Sequence, residues 1–277
     1  MRITPALIAL VPLLALAPPT LADDAPPLPS ISANPCSGVP VQPTEAHKAG
    51  GHVYEDWMRD WLAADWAQRC RYRGENAALP KAGPNRLVLV GDSITEGWRE
   101  QVPGFFNDQR VDRGISGQVT EQMLVRFRED ALELSPAVVQ IMAGTNDLAG
   151  NRGPTTIATI EGNIASMAEL ARAHRVRVLI ASIPPAKAFP WRPDIHPAAD
   201  IRTINAWLKA YAAREHFTYV DYHAVLADEQ GGMKAEYSGD GVHPNAAGYA
   251  AMQPVLEAAL RSGRSGRSGH PGPRVPE

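Results

Sequence analysis

The chain of 277 residues has two cysteines and a formal net charge of only −3. Its one long apolar run lies at the N-terminus, and no long basic run crosses the remainder, so we expect neither nucleic acid nor an anionic membrane surface as a partner. No H-E-x-x-H or C-x-x-C spacing is present, and the sequence therefore predicts no metal and no organic cofactor. Small-molecule or glycan partners suit this composition better.

The N-terminal apolar run has the pattern of a signal peptide. Arg2 supplies a positive charge, residues 6–17 are apolar, and the letters TLA at 20–22 form a small-residue cleavage site. A membrane anchor is the alternative, but the run is shorter than the roughly 20 residues that a spanning helix needs, and Pro12 interrupts it. We therefore expect export to the periplasm or the medium after cleavage following Ala22, with no stable membrane insertion.

Cys36 and Cys70 favour a disulfide, because an exported chain with two cysteines often joins them. Closing that loop would stabilise the fold by about 3 to 4 kcal/mol in the loop-entropy treatment. The alternative is that Cys70 is a small buried hydrophobe while Cys36 is a free thiol on a mobile arm.

The segment before residue 80 divides into an arm and a helix. Residues 23–50 contain six prolines and predict an extended arm. Aromatic and apolar residues then recur at helical spacing and predict an amphipathic helix over about 53–78. Its tryptophans could form a sugar-stacking platform, but burial against the domain is the commoner use of such a stripe; they are Trp57, Trp61 and Trp66.

From residue 86 short apolar runs alternate with longer helical patterns. Several of the apolar runs lack alternation, which is typical of parallel strands covered by helices on both faces. Strands are predicted near 86–91, 109–113, 137–143, 176–183 and 218–221, and helices near 118–134, 155–174, 200–216 and 245–261. This pattern predicts a doubly wound α/β sandwich. The predicted organisation is a signal peptide at 1–22, the arm and helix at 23–80, the α/β domain at 81–262 and a disordered tail at 263–277.

Ser93 follows the first predicted strand, and Gly91 would allow a sharp turn that exposes its hydroxyl group. A serine needs a base to remove its proton, and Asp240 and His243 lie three residues apart near the other end of the chain. Read alone, Ser93 could be a helix N-cap, and the late pair could be a helix-start motif opened by Pro244. Asp221 is a rival carboxylate at the end of the fifth strand.

Two further strand ends carry groups that could stabilise an oxyanion. The backbone N–H of Gly117 follows the second predicted strand, and the side-chain amide of Asn146 follows the third. Each also has a plainer interpretation, as a turn glycine and as an Asx-turn asparagine. His196 lies in the long loop after the fourth strand and could line the same site.

Four short blocks in order make the chain resemble the SGNH hydrolases, also called the GDSL esterase/lipase superfamily. The blocks are GDSITE at 91–96, RGISG at 113–117, GTND at 144–147 and DGVHP at 240–244. The resemblance implies a three-layer αβα sandwich with a five-stranded parallel sheet of flavodoxin-like type. It also implies that Ser93 is the nucleophile, His243 the base and Asp240 the orienting carboxylate.

The resemblance further implies an oxyanion hole made of Ser93 N–H, Gly117 N–H and the Asn146 amide. One departure is Gln118, where relatives often have aspartate. The blocks are most similar to the platelet-activating-factor acetylhydrolase branch, which implies a serine esterase acting on short acyl esters, especially acetyl, of a small-molecule or glycan substrate. The alternatives are a lysophospholipase or thioesterase, and a glycan-binding module on the same scaffold.

Overall fold

A computed structural model describes residues 35–39 and 52–262 of the chain. The predicted signal peptide, most of the predicted arm and the predicted tail lie outside the described residues. The chain divides into two compact units, residues 1–37 and 38–277, and the elements below belong to the second. Cys36 and Cys70 are both disulfide-bonded, so neither is the free thiol of the alternative interpretation.

Five parallel strands form one sheet in the order β2-β1-β3-β4-β5. They confirm the five predicted strands to within two residues at each end: β1 is Leu87–Gly91, β2 Arg110–Gly114, β3 Val138–Ile141, β4 Arg177–Ala181 and β5 Thr218–Val220. Because the strand order reverses between β1 and β3, the crevice beyond their carboxyl ends is the point where such sheets bind ligands.

Helices cover both faces of the sheet. The helices are α1 (His52–Ala64), α2 (Arg73–Ala78), α3 (Ser93–Gln101), α4 (Thr120–Asp130), α5 (Thr145–Leu148), α6 (Ile157–Ala173), α7 (Ala198–Arg214), α8 (Tyr222–Leu226) and α9 (Ala246–Ser262). Side chains of β1 alternate between two cores: Val88 and Val90 pack with α4, α6 and α7, whereas Leu87 and Leu89 pack with α3 and α9. The three-layer αβα sandwich is therefore confirmed.

The prediction of one continuous helix over 53–78 is wrong for residues 65–72. The chain leaves the helix after α1 and makes two turns before α2 begins. The Asp65 carboxylate accepts the backbone N–H of Cys70 at 2.7 Å, and Gln68 adopts a positive φ of 55°. A short polar side chain that binds the backbone in this way offers an alternative to the helical hydrogen bond, so the apolar spacing alone did not keep the helix continuous.

The tryptophan stripe is mostly buried. Trp57 and Trp61 are 6% and 3% exposed and pack with Tyr72 and Ile115, whereas Trp66 is 47% exposed. Burial of two of the three rings excludes a flat platform made of all three. Within the described residues no helix has the length and apolar character needed to cross a membrane.

Candidate active site

Ser93 is the first residue of α3, directly beyond the carboxyl end of β1. The N-cap of this helix is Asp92, whose Oδ1 accepts the Ile94 N–H at 2.9 Å, so the hydroxyl of Ser93 is not used for capping. Gly91 is required by close packing and not by a left-handed turn, because a Cβ there would lie 2.0 Å from Thr95 Oγ1. The expectation that Gly91 is needed for the conformation of a sharp turn was therefore wrong: the glycine is needed because there is no space for a side chain.

Ser93, His243 and Asp240 form a continuous hydrogen-bonded relay. The Ser93 hydroxyl lies 2.9 Å from His243 Nε2, and His243 Nδ1 lies 2.7 Å from Asp240 Oδ2. Residues 150 positions apart in the sequence are thus in direct contact. The arrangement is suited to moving a proton from the serine to the imidazole while the carboxylate fixes the ring.

The carboxylate of Asp240 is held in one orientation by the loop before α9. Its Oδ1 accepts the backbone N–H groups of Val242 at 2.9 Å and His243 at 2.8 Å, and it lies 3.0 Å from the Ser238 hydroxyl. Partial burial opposes ionisation, but the hydrogen bonds from His243 and Val242 outweigh it and lower the pKa of Asp240 to about 2. A carboxylate that is ionised at neutral pH therefore faces His243.

The rival residues lie elsewhere. Asp221 caps α8, since its Oδ1 accepts the Ala224 N–H at 3.0 Å, and it makes no hydrogen bond to His243. His196 is exposed and does not line the cavity around Ser93. The helix-start role is taken by Asn245, whose Oδ1 accepts the N–H groups of Ala247 and Gly248 at the start of α9.

The candidate oxyanion donors come from the ends of β1, β2 and β3. Gly117 has a φ of +76°, which favours glycine, and within the part of the chain described neither its N–H nor that of Ser93 donates a hydrogen bond. Asn146 is buried, and one of its amide hydrogens is given to the carbonyl of Gln118 at 3.0 Å. The second hydrogen has no acceptor among those residues.

Two residues at this edge of the sheet were missed by the sequence analysis. Asn151 Nδ2 donates to Asn146 Oδ1 at 2.6 Å, so the amide nitrogen of Asn146 faces away from Asn151 and toward the Gln118 carbonyl. Trp191, 40% exposed, donates its indole N–H to Asn151 Oδ1 at 3.0 Å. Its ring lies 5.9 Å from the imidazole of His243, centroid to centroid, and stacks on Phe189 behind it. Both residues follow strands of the sheet, and that placement was the available signal.

A small cavity opens beside the serine. Its volume is about 290 Å³, and its wall includes Ser93 and His243 together with Glu96, Glu100 and Gln101. Most of these side chains are polar, so the cavity is suited to a hydrogen-bonding group more than to a long hydrocarbon chain. Larger cavities are present at the opposite end of the strands, one of about 510 Å³ beside Leu87 and Val138 and one of about 540 Å³ beside Val176 and Phe217, and both are remote from the relay.

Buried carboxyl groups surround the site without forming a metal centre. Burial raises the pKa of Asp92 to about 6, although the Ile94 N–H opposes the shift. Asp147 likewise has its pKa raised to about 6 by burial, against hydrogen bonds from Thr120. Across residues 35–39 and 52–262, no cluster of three or more His, Cys, Asp or Glu side chains is arranged to hold a metal ion.

Comparison with known proteins assigns the chain to a family. The model of the GDSL-like lipase/acylhydrolase family matches residues 89–251, which include Ser93, Gly117, Asn146, Asp240 and His243. The chain belongs to the GDSL-like lipase/acylhydrolase family. It is a carboxylic ester hydrolase, and the family resemblance read from the four sequence blocks is confirmed.

Individual relatives agree with this assignment. The chain is 30% identical over 193 residues to Esterase TesA of Pseudomonas aeruginosa, a match that covers 64% of this chain and 87% of TesA. A crystal structure of a GDSL-like lipase from Bacteroides thetaiotaomicron is 42% identical with a TM-score of 0.69, covering 72% of this chain and 100% of that one. The acetylxylan esterase Axe2 of Geobacillus stearothermophilus shares the fold, at 18% identity and a TM-score of 0.50, over 65% of this chain and 96% of its own.

Proposed function

We propose that Ser93, His243 and Asp240 are the catalytic triad of a serine esterase that works through an acyl-enzyme. The observation that carries the proposal is the relay itself, with 2.9 Å between Ser93 Oγ and His243 Nε2 and 2.7 Å between His243 Nδ1 and Asp240 Oδ2. A carboxylate with a pKa of about 2 keeps the imidazole in the tautomer whose Nε2 accepts a proton.

The reaction then follows in two halves. Ser93 Oγ attacks the ester carbonyl carbon as His243 Nε2 takes the serine proton, and the N–H groups of Ser93 and Gly117 and the Asn146 amide bind the oxyanion. The tetrahedral intermediate collapses, the C–O bond to the alcohol breaks, and His243 returns the proton to the departing alkoxide. Water repeats the sequence on the acyl-enzyme, which releases the carboxylic acid and restores Ser93.

Replacement of the nucleophile tests this mechanism. Ser93→Ala is expected to abolish hydrolysis of p-nitrophenyl acetate without lowering the melting temperature, because the N-cap of α3 is Asp92 and not Ser93. Turnover by Ser93→Ala at the wild-type rate would refute the assignment. A fluorophosphonate probe should label the wild-type protein at Ser93 and leave Ser93→Ala unlabelled.

We also propose that the substrate joins a short acyl group, in the first instance acetyl, to a polar ring-shaped alcohol such as a sugar. The cavity of about 290 Å³ beside Ser93 is small, and Glu100 and Gln101 in its wall suit hydroxyl groups. His243 must lie within hydrogen-bond reach of the leaving oxygen, so a ring next to the imidazole contacts the alcohol side of the ester. Trp191 is that ring, and sugars pack well on flat aromatic faces.

A substrate series separates acyl size from alcohol shape. We expect p-nitrophenyl esters to be hydrolysed fastest at two to four carbons, and acetylated xylo-oligosaccharides or amino sugars to release acetate. Trp191→Ala should raise KM for acetylated sugars by roughly tenfold while changing KM for ethyl acetate less than twofold. Trp66→Ala is the matched control, since Trp66 is also exposed but, unlike Trp191, does not lie against the His243 ring. A rate maximum above eight carbons would instead support a lysophospholipase or thioesterase.

We propose in addition that the enzyme is exported. The signal-peptide pattern at residues 1–22 supports this, and so does the disulfide bonding of Cys36 and Cys70, because such bonds persist in oxidising compartments. N-terminal sequencing of protein recovered from the periplasm or medium should begin at Asp23. An uncleaved chain recovered with the cytosol would contradict the proposal.

A further inference from the structure

The turns between α1 and α2 contact the loop that carries Gly117. The turn segment comprises residues 67–72, and the strand-end loop comprises residues 115–118, directly after β2. The turn segment lies upstream of residues 89–251, which the family model matches. It therefore lies outside the part of the chain in which the candidate catalytic residues occur.

A chain of charged and polar groups makes the first connection. Arg71 Nη2 donates to Glu96 Oε1 at 3.1 Å, and both side chains are largely buried, at 11% and 17% exposed. The other oxygen of Glu96 accepts the backbone N–H of Ser116 at 2.9 Å and its hydroxyl at 2.5 Å. Ser116 immediately precedes Gly117, whose N–H is a proposed oxyanion donor. Arg71 therefore orients the carboxylate of Glu96, and that carboxylate in turn holds the backbone next to Gly117.

Gln118 makes the second connection. Its side-chain amide donates to the carbonyl of Ala67 at 3.0 Å and to Gln68 Oε1 at 2.9 Å, while its own Oε1 accepts from Arg126 at 2.6 Å. Every polar position of this buried amide is therefore used. An aspartate or glutamate at this position could not donate to either partner in the turn segment, so these two contacts require the amide of Gln118.

Backbone geometry explains why such support is needed. The Gln118 carbonyl is the acceptor that holds the Asn146 amide at 3.0 Å, so two of the three proposed oxyanion donors depend on this loop. Gly117 has a positive φ, and a Cβ there would meet only Arg152, at 3.7 Å. The glycine has little local packing, and its N–H direction is set mainly by the residues on either side.

We propose that the turn segment positions the oxyanion hole, with Arg71 and Gln68 acting as positioning residues through Glu96 and Gln118. The inference rests on the proposed function, because it assigns a role to the surroundings of Gly117 and Asn146. Neither positioning residue touches the substrate. Their effect is on the direction of the donors, which matters most when negative charge develops on the oxygen.

The test compares two arginines of the same segment. Arg71→Ala breaks the connection to Glu96, whereas Arg69→Ala breaks only the ion pair between Arg69 and Glu129 on α4. We expect Arg71→Ala to lower kcat for p-nitrophenyl acetate by 10- to 100-fold with KM changed less than twofold, since a misplaced donor weakens transition-state binding selectively. Arg69→Ala should stay within twofold of wild type, and Arg71→Lys should recover most of the lost activity.

A second variant, nearly identical in size to the wild-type side chain, controls for the case in which Arg71→Ala does not fold. Gln118→Glu keeps the size of the side chain and the backbone carbonyl that binds Asn146, but it removes both donors to the turn segment. As for Arg71→Ala, we expect a lower kcat with KM changed less than twofold. The kcat value is expressed per fluorophosphonate-titrated site so that unfolded protein does not contribute. The rate of fluorophosphonate labelling should fall in parallel, because that reaction also places an oxygen in the oxyanion hole.

The outcomes distinguish this inference from the proposed function. If wild-type protein is not labelled at Ser93, the proposed function is wrong. If wild type is labelled and both Arg71→Ala and Gln118→Glu retain kcat within twofold, the positioning role is overturned. An equal loss in Arg69→Ala would likewise overturn it, since the segment would then matter only for stability.

Discussion

Replacing Asp240 by asparagine tests the relay most sharply, because the structure predicts which way the new amide must face. In the wild type, Oδ1 accepts two backbone N–H groups, from Val242 at 2.9 Å and His243 at 2.8 Å, and Oδ2 faces His243 Nδ1 at 2.7 Å. An asparagine has one oxygen for these two positions. Whichever position receives the NH₂ group loses its acceptor.

The two backbone donors decide the orientation. Turning the NH₂ group toward them would leave two N–H groups unsatisfied, at about 1 to 3 kcal/mol each, whereas turning it toward the ring costs a single contact. The amide hydrogens of Asp240→Asn should therefore face Nδ1. The neutral imidazole must then carry its proton on Nε2, where it cannot accept the proton of Ser93.

The expected loss is large. The same inversion of the tautomer in serine hydrolase triads lowers kcat by roughly 10⁴-fold, or about 5 kcal/mol of barrier. We expect kcat for p-nitrophenyl acetate to fall by this factor with KM little changed, as measured by steady-state kinetics on protein of unaltered melting temperature.

Asp221→Asn is the matched control. Asp221 caps α8, and asparagine caps helices as well as aspartate does, so this variant should keep kcat within twofold of wild type. The reasoning would be refuted if Asp240→Asn retained more than a tenth of wild-type kcat. A loss in Asp221→Asn comparable to the loss in Asp240→Asn would point to the rival carboxylate.

Three further predictions concern the oxyanion donors and the buried carboxyl groups. Asn146→Ala should lower kcat by roughly 100-fold or more, as steady-state kinetics on short esters would show, because one oxyanion donor is lost. Asn151→Ala should lower kcat by roughly tenfold, in the same assay, because the Asn146 amide loses the contact that orients it. Burial raises the pKa values of Asp92 and Asp147 to about 6 and that of Asp112, a buried residue of β2, to about 7. Because the ordinary value is 3.8, the folded state binds more protons than the unfolded state between pH 3.8 and these raised values. The free energy of unfolding from urea titrations should therefore fall as pH rises from 5 to 8, by on the order of 1 kcal/mol per carboxyl group; a rise would contradict the assignment.

The sheet could be predicted from the sequence because burial on both faces leaves a simple pattern. Residues 87–90 read as one uninterrupted apolar run, since Val88 and Val90 enter one core while Leu87 and Leu89 enter the other. The helix over 53–78 could not be predicted correctly in the same way. Apolar residues recur at helical spacing throughout 53–78, but the interruption between α1 and α2 depends on a hydrogen bond from the Cys70 N–H to Asp65 that this spacing does not reveal.

The site was predictable only in part. The family blocks contain the three residues of the relay and all three proposed oxyanion donors, each at the end of a strand or in the last loop. Trp191 and Asn151 belong to no block, and their importance comes from contacts between two loops that are 40 residues apart in sequence. The three-residue spacing already favoured Asp240 over Asp221 as the partner of His243, and in the structure Asp240 Oδ2 lies 2.7 Å from His243 Nδ1 while Asp221 caps α8.

Trapping the acyl-enzyme tests the central claim most directly. Wild-type protein mixed with p-nitrophenyl acetate, quenched in acid within the first turnover and digested should yield the peptide containing Ser93 with the mass of one added acetyl group. Recovery of the acetyl group on another residue, or full esterase activity from Ser93→Ala, would contradict a mechanism in which Ser93 is the nucleophile.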